Sequence, residues 1–431
     1  MLAVKKNKLI YNFLSMGFVQ GGIVLLQLLV IPFTIKKIGI DGFGVVAVAQ
    51  VVMLYLSGFA DYGFNQTATR DVSLFRADPE VLSRIFFRVL FTKLVLCFFA
   101  FIVLLILLWC VPVFRTHGLL YLAAFVFVIG QSSLVTWFFQ GLERMQFIAL
   151  LTLSGRIVFV ALVFLFLKNR EQDFLFLFFL GTGNLIAGAI SIFSACRLLK
   201  LKFRRPSRSD IVGELREGWH FTVANLSGYT SQYANIFILR IFTNDLVTGY
   251  YGIAERIFFA MRQILVNFSQ VIYPRVCQLV QSGRSQLILF FKQIYFPFLL
   301  LVISGCALVF IFSLPILHFF IGYPHENSSF LLRIMCVITV IICMNIPACL
   351  VLLASNEKKK YLKVSAIGTL LNIIANIALV RFFEAKGIVM SVLVTEFFIT
   401  VGLHWEVYRL YIHDKSDGRN YLKSVFVKMN K

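Results

Sequence analysis

Charged residues are scarce in this 431-residue chain, in which only 14% of the positions are Asp, Glu, Lys or Arg. A soluble domain carries roughly a quarter charged residues, so this composition cannot build an ordinary water-facing surface. Hydrophobic residues make up 59% of the chain, and phenylalanine alone occurs 48 times. Most of the molecular surface is therefore expected to contact lipid.

Residue patterns that hold metals or form disulfide bonds are missing as well. The eight cysteines form no CxxC pair and most lie within apolar runs, so they are expected to be small buried hydrophobic residues. The six histidines show no HExxH or similar spacing. The sequence therefore predicts neither a metal site nor a cofactor.

Acidic residues number 20 against 41 lysines and arginines, which gives a formal net charge of +21. In a soluble protein this balance would suggest nucleic-acid binding. No basic segment is long enough to form a domain, so nucleic acid is not an expected partner. Basic loops on the cytoplasmic side of a membrane protein, facing anionic lipid, explain the charge better.

About twelve apolar runs are long enough to span a bilayer, for which a helix needs about 20 residues. They cover residues 9–35, 43–65, 85–113, 118–140, 147–167, 174–197, 218–242, 248–274, 289–313, 329–354, 361–382 and 387–411. The first run is too long for a signal peptide and is expected to be a retained span. The sequence predicts an all-α membrane protein with about twelve transmembrane helices.

The lysines and arginines also predict the orientation of the chain. Most of them fall in alternate loops, on the same side as the basic N-terminus. Because such residues are enriched in cytoplasmic loops, both termini are expected in the cytoplasm.

The two halves of the chain resemble each other. Phe43-Gly44-Val45-Val46-Ala47 opens the second span, and Tyr251-Gly252-Ile253-Ala254 opens the eighth. The match is short enough to arise by chance, but its position favours duplication. Two six-helix lobes with substrate between them are a recurrent transporter plan. The predicted regions are an N-terminal lobe (1–197), a basic cytoplasmic linker (198–217), a C-terminal lobe (218–411) and a cytoplasmic tail (412–431).

Several predicted spans carry polar side chains along one face. Polar groups within hydrocarbon are costly unless they face protein or a water-filled cavity. Hydrogen bonding between helices is the alternative to a cavity lining. The candidate lining residues of a central cavity are Gln20, Gln27, Asp61, Asn225, Tyr229, Gln232, Asn372 and Asn376.

Three arginines lie deep within predicted spans, namely Arg156, Arg256 and Arg262. Each costs about 2.5–3.5 kcal/mol at mid-bilayer on insertion scales, so compensation is required. A structural ion pair of Arg262 with Glu255, seven residues earlier, is one explanation. The other is an anionic substrate such as a pyrophosphate, because guanidinium groups match phosphate oxygens.

Other charged residues admit two interpretations. Lys93, Arg240 and Arg333 lie within about two turns of a span end, where snorkelling to the interface is an alternative to a role in the cavity. Arg240 is nevertheless retained as a fourth candidate cation for substrate binding. Glu255 and Glu396 are candidate groups for ion coupling, and a packed polar cluster explains Glu396 equally well.

Several motifs together resemble those of polysaccharide flippases, in particular the O-antigen (Wzx-type) branch of the multidrug/oligosaccharidyl-lipid/polysaccharide (MOP) exporter superfamily. The resemblance covers essentially the whole chain. The residues that carry it are Gln20, Gln27, Pro32, Gly39, Phe43-Gly44, Asp61-Tyr62-Gly63, Arg70, Trp219, Asn225, Gln232, Arg240 and the run from Gly249 to Arg256.

The resemblance implies two six-helix lobes forming a V around a cationic central cavity. It also implies alternating access that carries an undecaprenyl-pyrophosphate-linked oligosaccharide from the cytoplasmic to the periplasmic leaflet of the bacterial inner membrane. Ion coupling is expected without an identified ion. The motif residues with implied roles are Asp61, Arg70, Gln232, Arg240, Glu255 and Arg256. Expected partners are the lipid-linked oligosaccharide, membrane lipids and polysaccharide polymerase machinery.

Two other functions remain open. A multidrug exporter of the same superfamily is expected to carry surplus carboxylates, whereas this chain has surplus arginine. A membrane polymerase or ligase usually carries a large outer loop with catalytic groups, and the longest one here, 314–328, is short. The chain is therefore expected to be a transporter and not an enzyme.

Overall fold

The computed structural model of the chain describes the backbone of residues 2–416. Within that range it describes the side chains except those of residues 2–20, 24, 113, 145–146, 217, 221, 224, 227, 231, 281, 284 and 411–416. The described chain is almost entirely helical. Its α-helices are α1 (Leu2–Asp61), α2 (Phe64–Leu74), α3 (Pro79–Cys110), α4 (Pro112–Arg115), α5 (Gly118–Ser133), α6 (Thr136–Gly141), α7 (Met145–Phe166), α8 (Asp173–Leu199), α9 (Arg208–Phe242), α10 (Asp245–Ser282), α11 (Arg284–Phe290), α12 (Phe296–Ile311), α13 (Ser313–Ile321), α14 (Glu326–Ala354) and α15 (Lys358–Ser416).

Eight helices among the described residues are long and apolar enough to cross a membrane. Two of these, α1 and α15, contain a single residue with non-helical backbone angles: Gly39 at φ 81° and Glu384 at φ 49°. Each is long enough for two spans. With the more polar α9 and α10, of 35 and 38 residues, the described part of the chain holds twelve membrane-length segments. This confirms the predicted all-α membrane fold.

Local sequence signals begin two of these helices. The carboxylate of Asp78 accepts hydrogen bonds from the backbone N–H groups of Glu80 and Val81, and Pro79 takes the first helical position of α3. Ser207 and Asp210 form a reciprocal capping box at the start of α9.

The described chain divides into two compact units. The first unit comprises residues 18–253 and 318–323, and the second unit comprises the remaining described residues. The division differs from the predicted lobe boundaries, which stay a prediction.

In the first unit, α8 packs along both α5 and α7, and α2 packs on α6. Trp137 of α6 is fully buried, and its ring lies 6.1 Å from that of Phe86 on α3. The segment before α9 is fixed on α3. The backbone N–H of Lys202 donates to the Ser83 hydroxyl at 3.2 Å, and the Phe203 ring lies 5.1 Å from the Phe87 ring.

In the second unit, α12 and α15 pack on α14. A buried apolar core combines residues of α10, α12 and α14, including Leu265, Val302 and Ile346. The rings of Phe268 and Phe298 stack within it at 3.6 Å between centroids. These contacts are the apolar packing expected where helices meet within a membrane protein.

Candidate functional site

A buried ion pair lies inside the first unit. The ammonium of Lys93 on α3 donates to Asp61 Oδ1 at 2.7 Å, where α1 ends. The Lys93 side chain is 3% exposed and that of Asp61 is 23% exposed. Lys93 also lies 6.0 Å from the centroid of the Phe64 ring. The structure therefore contradicts snorkelling as the explanation for Lys93, because the ammonium is withdrawn from the surface and bonded to a carboxylate.

Two further side chains complete the surroundings of this pair. Asn65 Nδ2, on α2, donates to Asp61 Oδ2 at 2.7 Å, and Asn65 is exposed. Tyr229 of α9 lies close enough to Asp61 for an electrostatic interaction between their side chains. We call Asp61, Asn65, Lys93 and Tyr229 the Asp61 cluster. It brings four helices of the first unit to one carboxylate.

Three tyrosine rings extend from this cluster. The Tyr229 ring centroid lies 6.3 Å from that of Tyr55 on α1 and 6.2 Å from that of Tyr233. Gln232 Nε2 donates to the Tyr233 hydroxyl at 3.1 Å. We call Tyr55, Tyr229 and Tyr233 the tyrosine wall. All three are half-buried.

A glycine allows the tyrosine wall to approach α1. A Cβ added to Gly58 would lie 2.3 Å from Cε2 of the Tyr229 ring. Because no Cβ occupies this position, the ring packs directly against the α1 backbone. The position of Tyr229 therefore depends on a residue of another helix.

A second group of charges joins α2, α3 and α9 at the ends that the sequence predicts to be cytoplasmic. Arg88 of α3 forms an ion pair with Glu214 of α9 and lies 3.7 Å from Asp71 of α2. The Glu214 side chain is 8% exposed. Hydrogen bonds from the backbone and the hydroxyl of Ser207 hold the pKa of nearby Asp210 below its usual range. Arg88 thus ties α9 to α3 within the first unit.

At the other end of α9, Arg240 is engaged locally. Its guanidinium donates to Asp245 Oδ2 at 3.0 Å and to the carbonyl of Thr243 at 3.2 Å. Arg240 therefore bridges the turn between α9 and α10. Its proposed role in binding substrate stays a prediction.

The same turn lies against α1. A Cβ added to Gly44 would lie 2.0 Å from the Asp245 carbonyl oxygen and 2.8 Å from the backbone N of Gly249. Gly44 belongs to the segment Phe43-Gly44-Val45-Val46-Ala47, which opens the predicted second span. Its lack of a side chain allows α1 and the start of α10 to touch backbone to backbone.

The second unit contains its own interior charges. Arg262 of α10 interacts electrostatically with both Glu396 and Tyr361 of α15. On the same helix α10, Glu255 is buried and Arg256 is half-buried. Arg262 therefore meets a carboxylate of a different helix from the one that the sequence spacing suggested. Arg333, by contrast, is exposed and donates to the Ser313 hydroxyl at 2.9 Å.

The structure places the remaining predicted lining residues as follows. Asn376 Nδ2 donates to Asn372 Oδ1 at 3.0 Å, so these two amides are bonded to each other along α15. Gln27, Asn225 and Arg156 are half-buried, on α1, α9 and α7. The side chain of Gln20 lies outside the described residues.

Of the predicted lining residues, the structure brings together Asp61 and Tyr229, with Gln232 at the tyrosine wall. The sequence identified Lys93 but left its role open, and its pairing with Asp61 was not predicted. The available signal was a base within one apolar span and an acid within another, since such charges are retained inside a membrane when they pair. Among the described residues, no group of three or more His, Cys, Asp or Glu side chains is arranged to hold a metal ion.

Comparison with known proteins gives a consistent result. The sequence model of a family described as polysaccharide biosynthesis protein matches residues 9–280. Two relatives named "Putative O-antigen transporter" come from Escherichia coli (strain K12) and Shigella dysenteriae. They are each 25% identical to this chain, over 391 and 398 residues, which is 90% of this chain and 94% and 98% of theirs.

Solved structures of similar fold are transporters of the MATE family. An inward-facing multidrug resistance transporter of the MOP superfamily gives a TM-score of 0.64 at 14% identity, over 92% of this chain and 100% of that chain. The MATE multidrug transporter DinF-BH gives a TM-score of 0.63 at 18% identity, over 93% of this chain and 95% of that chain. At these identities the similarity shows the fold alone, which is the predicted two-lobe MATE-like fold.

Proposed function

Because this chain belongs to the polysaccharide biosynthesis protein family, we propose that it is a flippase for a lipid-linked oligosaccharide. The chain is a multi-pass membrane transporter of the MOP superfamily. The substrate we propose is an undecaprenyl-pyrophosphate-linked repeat unit, moved from the cytoplasmic to the periplasmic leaflet of the bacterial inner membrane. The observation that carries the proposal is the partly exposed Asp61 cluster and tyrosine wall among apolar helices.

The chemistry of such a substrate sets what the protein has to supply. The polyprenyl tail stays in or beside the bilayer, whereas the charged and hydroxylated headgroup needs a polar path. Interior polar side chains in membrane proteins mark such paths. Half-buried groups such as Gln27, Asn225 and Gln232 offer hydrogen bonds to sugar hydroxyls along that path.

The pyrophosphate needs cations. We assign this role to Arg156, Arg240, Arg256 and Arg262, because guanidinium groups bind phosphate oxygens in a bidentate manner. Arg156 and Arg262 lie in mid-helix, where a charge without a functional role would be disfavoured. Alternating access then exposes the polar path to one side of the membrane at a time, with both termini in the cytoplasm.

Ion coupling is assigned to Glu255 and Glu396. Glu255 is buried, and Glu396 lies within electrostatic reach of Arg262. A carboxylate beside a substrate-binding cation can exchange its partner when the cation binds an anion. The arginine excess disfavours a drug exporter, whose cavity is expected to attract cations.

The proposal is tested with proteoliposomes that contain the purified full chain. The substrate is an undecaprenyl-pyrophosphate-linked saccharide extracted from the host strain, and its appearance in the opposite leaflet is measured by lectin accessibility. We expect Arg156→Ala and Arg262→Ala to slow translocation at equal protein content. Arg144→Ala, which alters an exposed loop arginine, serves as the matched control and is expected to be neutral.

Translocation that is the same in protein-containing and empty liposomes would refute the flippase. Normal rates in both arginine variants would remove these residues from the mechanism and leave the flippase itself standing. A polymer of the saccharide formed by the purified protein would instead support the polymerase alternative.

A further inference from the structure

We propose that Asp61 is the centre of a saccharide-binding subsite that reads sugar hydroxyls, with Lys93 and Asn65 as positioning residues and the tyrosine wall as its apolar face. The inference rests on the proposed function and refines it, because it assigns the sugar part of the substrate to the first unit. It separates the sugar from the pyrophosphate, which the arginines are proposed to bind.

The carboxylate of Asp61 is held by both of its oxygens and is still accessible. Oδ1 accepts from Lys93 and Oδ2 accepts from Asn65, each at 2.7 Å. An ionised carboxylate offers about four acceptor positions, so about two have no hydrogen bond from a residue that the structure describes. The side chain is 23% exposed. Open acceptor positions on an accessible carboxylate suit the hydroxyl groups of a sugar ring, which donate hydrogen bonds.

The charge of the subsite favours a neutral polyol over a pyrophosphate. Lys93 and Asp61 carry opposite charges at 2.7 Å, so the pair has no net charge. A phosphate approaching Asp61 would be repelled by the carboxylate, and the ammonium of Lys93 is already engaged and buried. A hydroxyl group, in contrast, donates to the carboxylate in a short charge-assisted hydrogen bond.

The tyrosine wall supplies the apolar contact that a sugar ring needs. Tyrosine combines a flat apolar ring with a polar hydroxyl, which suits a ligand with C–H faces and O–H edges. Tyr55 and Tyr229 are tilted by 59° to each other, and Tyr229 and Tyr233 by 31°. Ligand sites are commonly lined by aromatic side chains with a few placed polar groups.

A purely structural role explains this arrangement less well. Well-packed hydrophobic residues of similar volume often replace a buried ion pair with no loss of stability. A structural pair also has no need of three half-buried tyrosines and an exposed amide beside it. Recognition of hydroxyl groups accounts for all of these features together.

The test measures the binding of two probes to the detergent-solubilised full chain. One probe is undecaprenyl pyrophosphate, which has no sugar, and the other is the undecaprenyl-pyrophosphate-linked saccharide from the host strain. We expect the unmodified chain to bind the sugar-bearing probe more tightly. Asp61→Asn is expected to lower the affinity for the sugar-bearing probe by about tenfold or more, because a charge-assisted hydrogen bond is lost. The affinity for the sugar-free probe is expected to change by less than about twofold.

Two further variants distinguish a specific effect on saccharide binding from a general loss of folding. Asn65→Ala changes an exposed side chain that holds Asp61 in position. It is expected to lower only the affinity for the sugar-bearing probe. Gln66→Ala, at the neighbouring exposed position of α2, is the matched control and is expected to affect neither probe. The ratio of the two affinities is the readout, because misfolding would reduce the binding of both probes to the same extent.

The outcomes separate this inference from the proposed function. Equal affinity of the unmodified chain for the two probes, or equal changes for both in the Asp61 and Asn65 variants, would overturn the saccharide subsite and leave the flippase standing. If the unmodified chain bound neither probe, the proposed function would fail and the subsite with it.

Discussion

Removal of the Lys93 ammonium is the most direct test of the first unit's interior. In Lys93→Met the side chain keeps much of its volume and loses its charge, so Asp61 remains without its partner. Breaking a buried ion pair by removing one member costs about 3–5 kcal/mol. Asp61 keeps its hydrogen bond from Asn65 and is 23% exposed, which places the expected loss near the lower end, at about 3 kcal/mol.

The assay is equilibrium unfolding of the full chain in mixed micelles, with Lys93→Met, Asp61→Asn and the double variant measured together. The double variant contains no buried charge at this position and is expected to recover most of the lost stability. The coupling energy between the two positions should then be at least about 2 kcal/mol. Its transport activity is expected to remain low, because the acceptor carboxylate of the saccharide subsite is absent.

Two results would refute this reasoning. A Lys93→Met protein as stable as the unmodified chain would show that the pair makes no net contribution to the folded state. Strictly additive losses in the double variant would show that the two side chains act independently, in spite of their 2.7 Å separation.

Three other changes have predictable results. Arg88→Met leaves the nearly buried Glu214 carboxylate without its guanidinium partner and is expected to destabilise the protein by about 2–4 kcal/mol in the same unfolding assay. Gly44→Ala places a methyl group against the α10 backbone and is expected to destabilise by about 1–3 kcal/mol. The neutral ring of His325 accepts from the backbone N–H of Ser328, and burial lowers its pKa, so thermal stability should fall as the pH drops from 7.5 to 5. His325→Asn should remove that part of the pH dependence, because asparagine caps the helix without titrating.

Each of these changes has a matched control. Arg76→Met removes an ion pair between exposed side chains and is expected to have no measurable effect. Gly305→Ala adds a methyl group where nothing lies within 4 Å, so it should not destabilise. His318→Asn alters an exposed histidine and should leave the pH profile unchanged. Equal effects of a variant and its control would contradict the corresponding prediction.

The helices of this protein were predictable because their cause is local. A run of about 20 apolar residues in lipid satisfies its backbone hydrogen bonds only by forming a helix. The predicted spans 361–382 and 387–411 meet at Glu384, where the observed helix has its one non-helical residue. The predicted spans 9–35 and 43–65 likewise lie on either side of Gly39, the one non-helical residue of α1.

The candidate site was predictable only in part. The spacing of polar residues identified Asp61 and Tyr229 as interior groups, because one face of a helix can be read from its period. It offered Glu255, on the same helix, as one possible partner of Arg262, and the structure shows Arg262 interacting with Glu396 of α15. The spacing of polar residues along one helix cannot predict a contact with a residue on another helix.

The sequence by itself determined that this chain is a helical membrane protein and which of its side chains have to avoid lipid, since both follow from the transfer of short segments between water and hydrocarbon. Only the tertiary structure decided that Lys93 forms an ion pair with Asp61, and that the Tyr229 ring packs against α1 at Gly58. These pairings depend on how α1, α2, α3 and α9 pack, and helix packing is set by shape complementarity between distant segments of the chain.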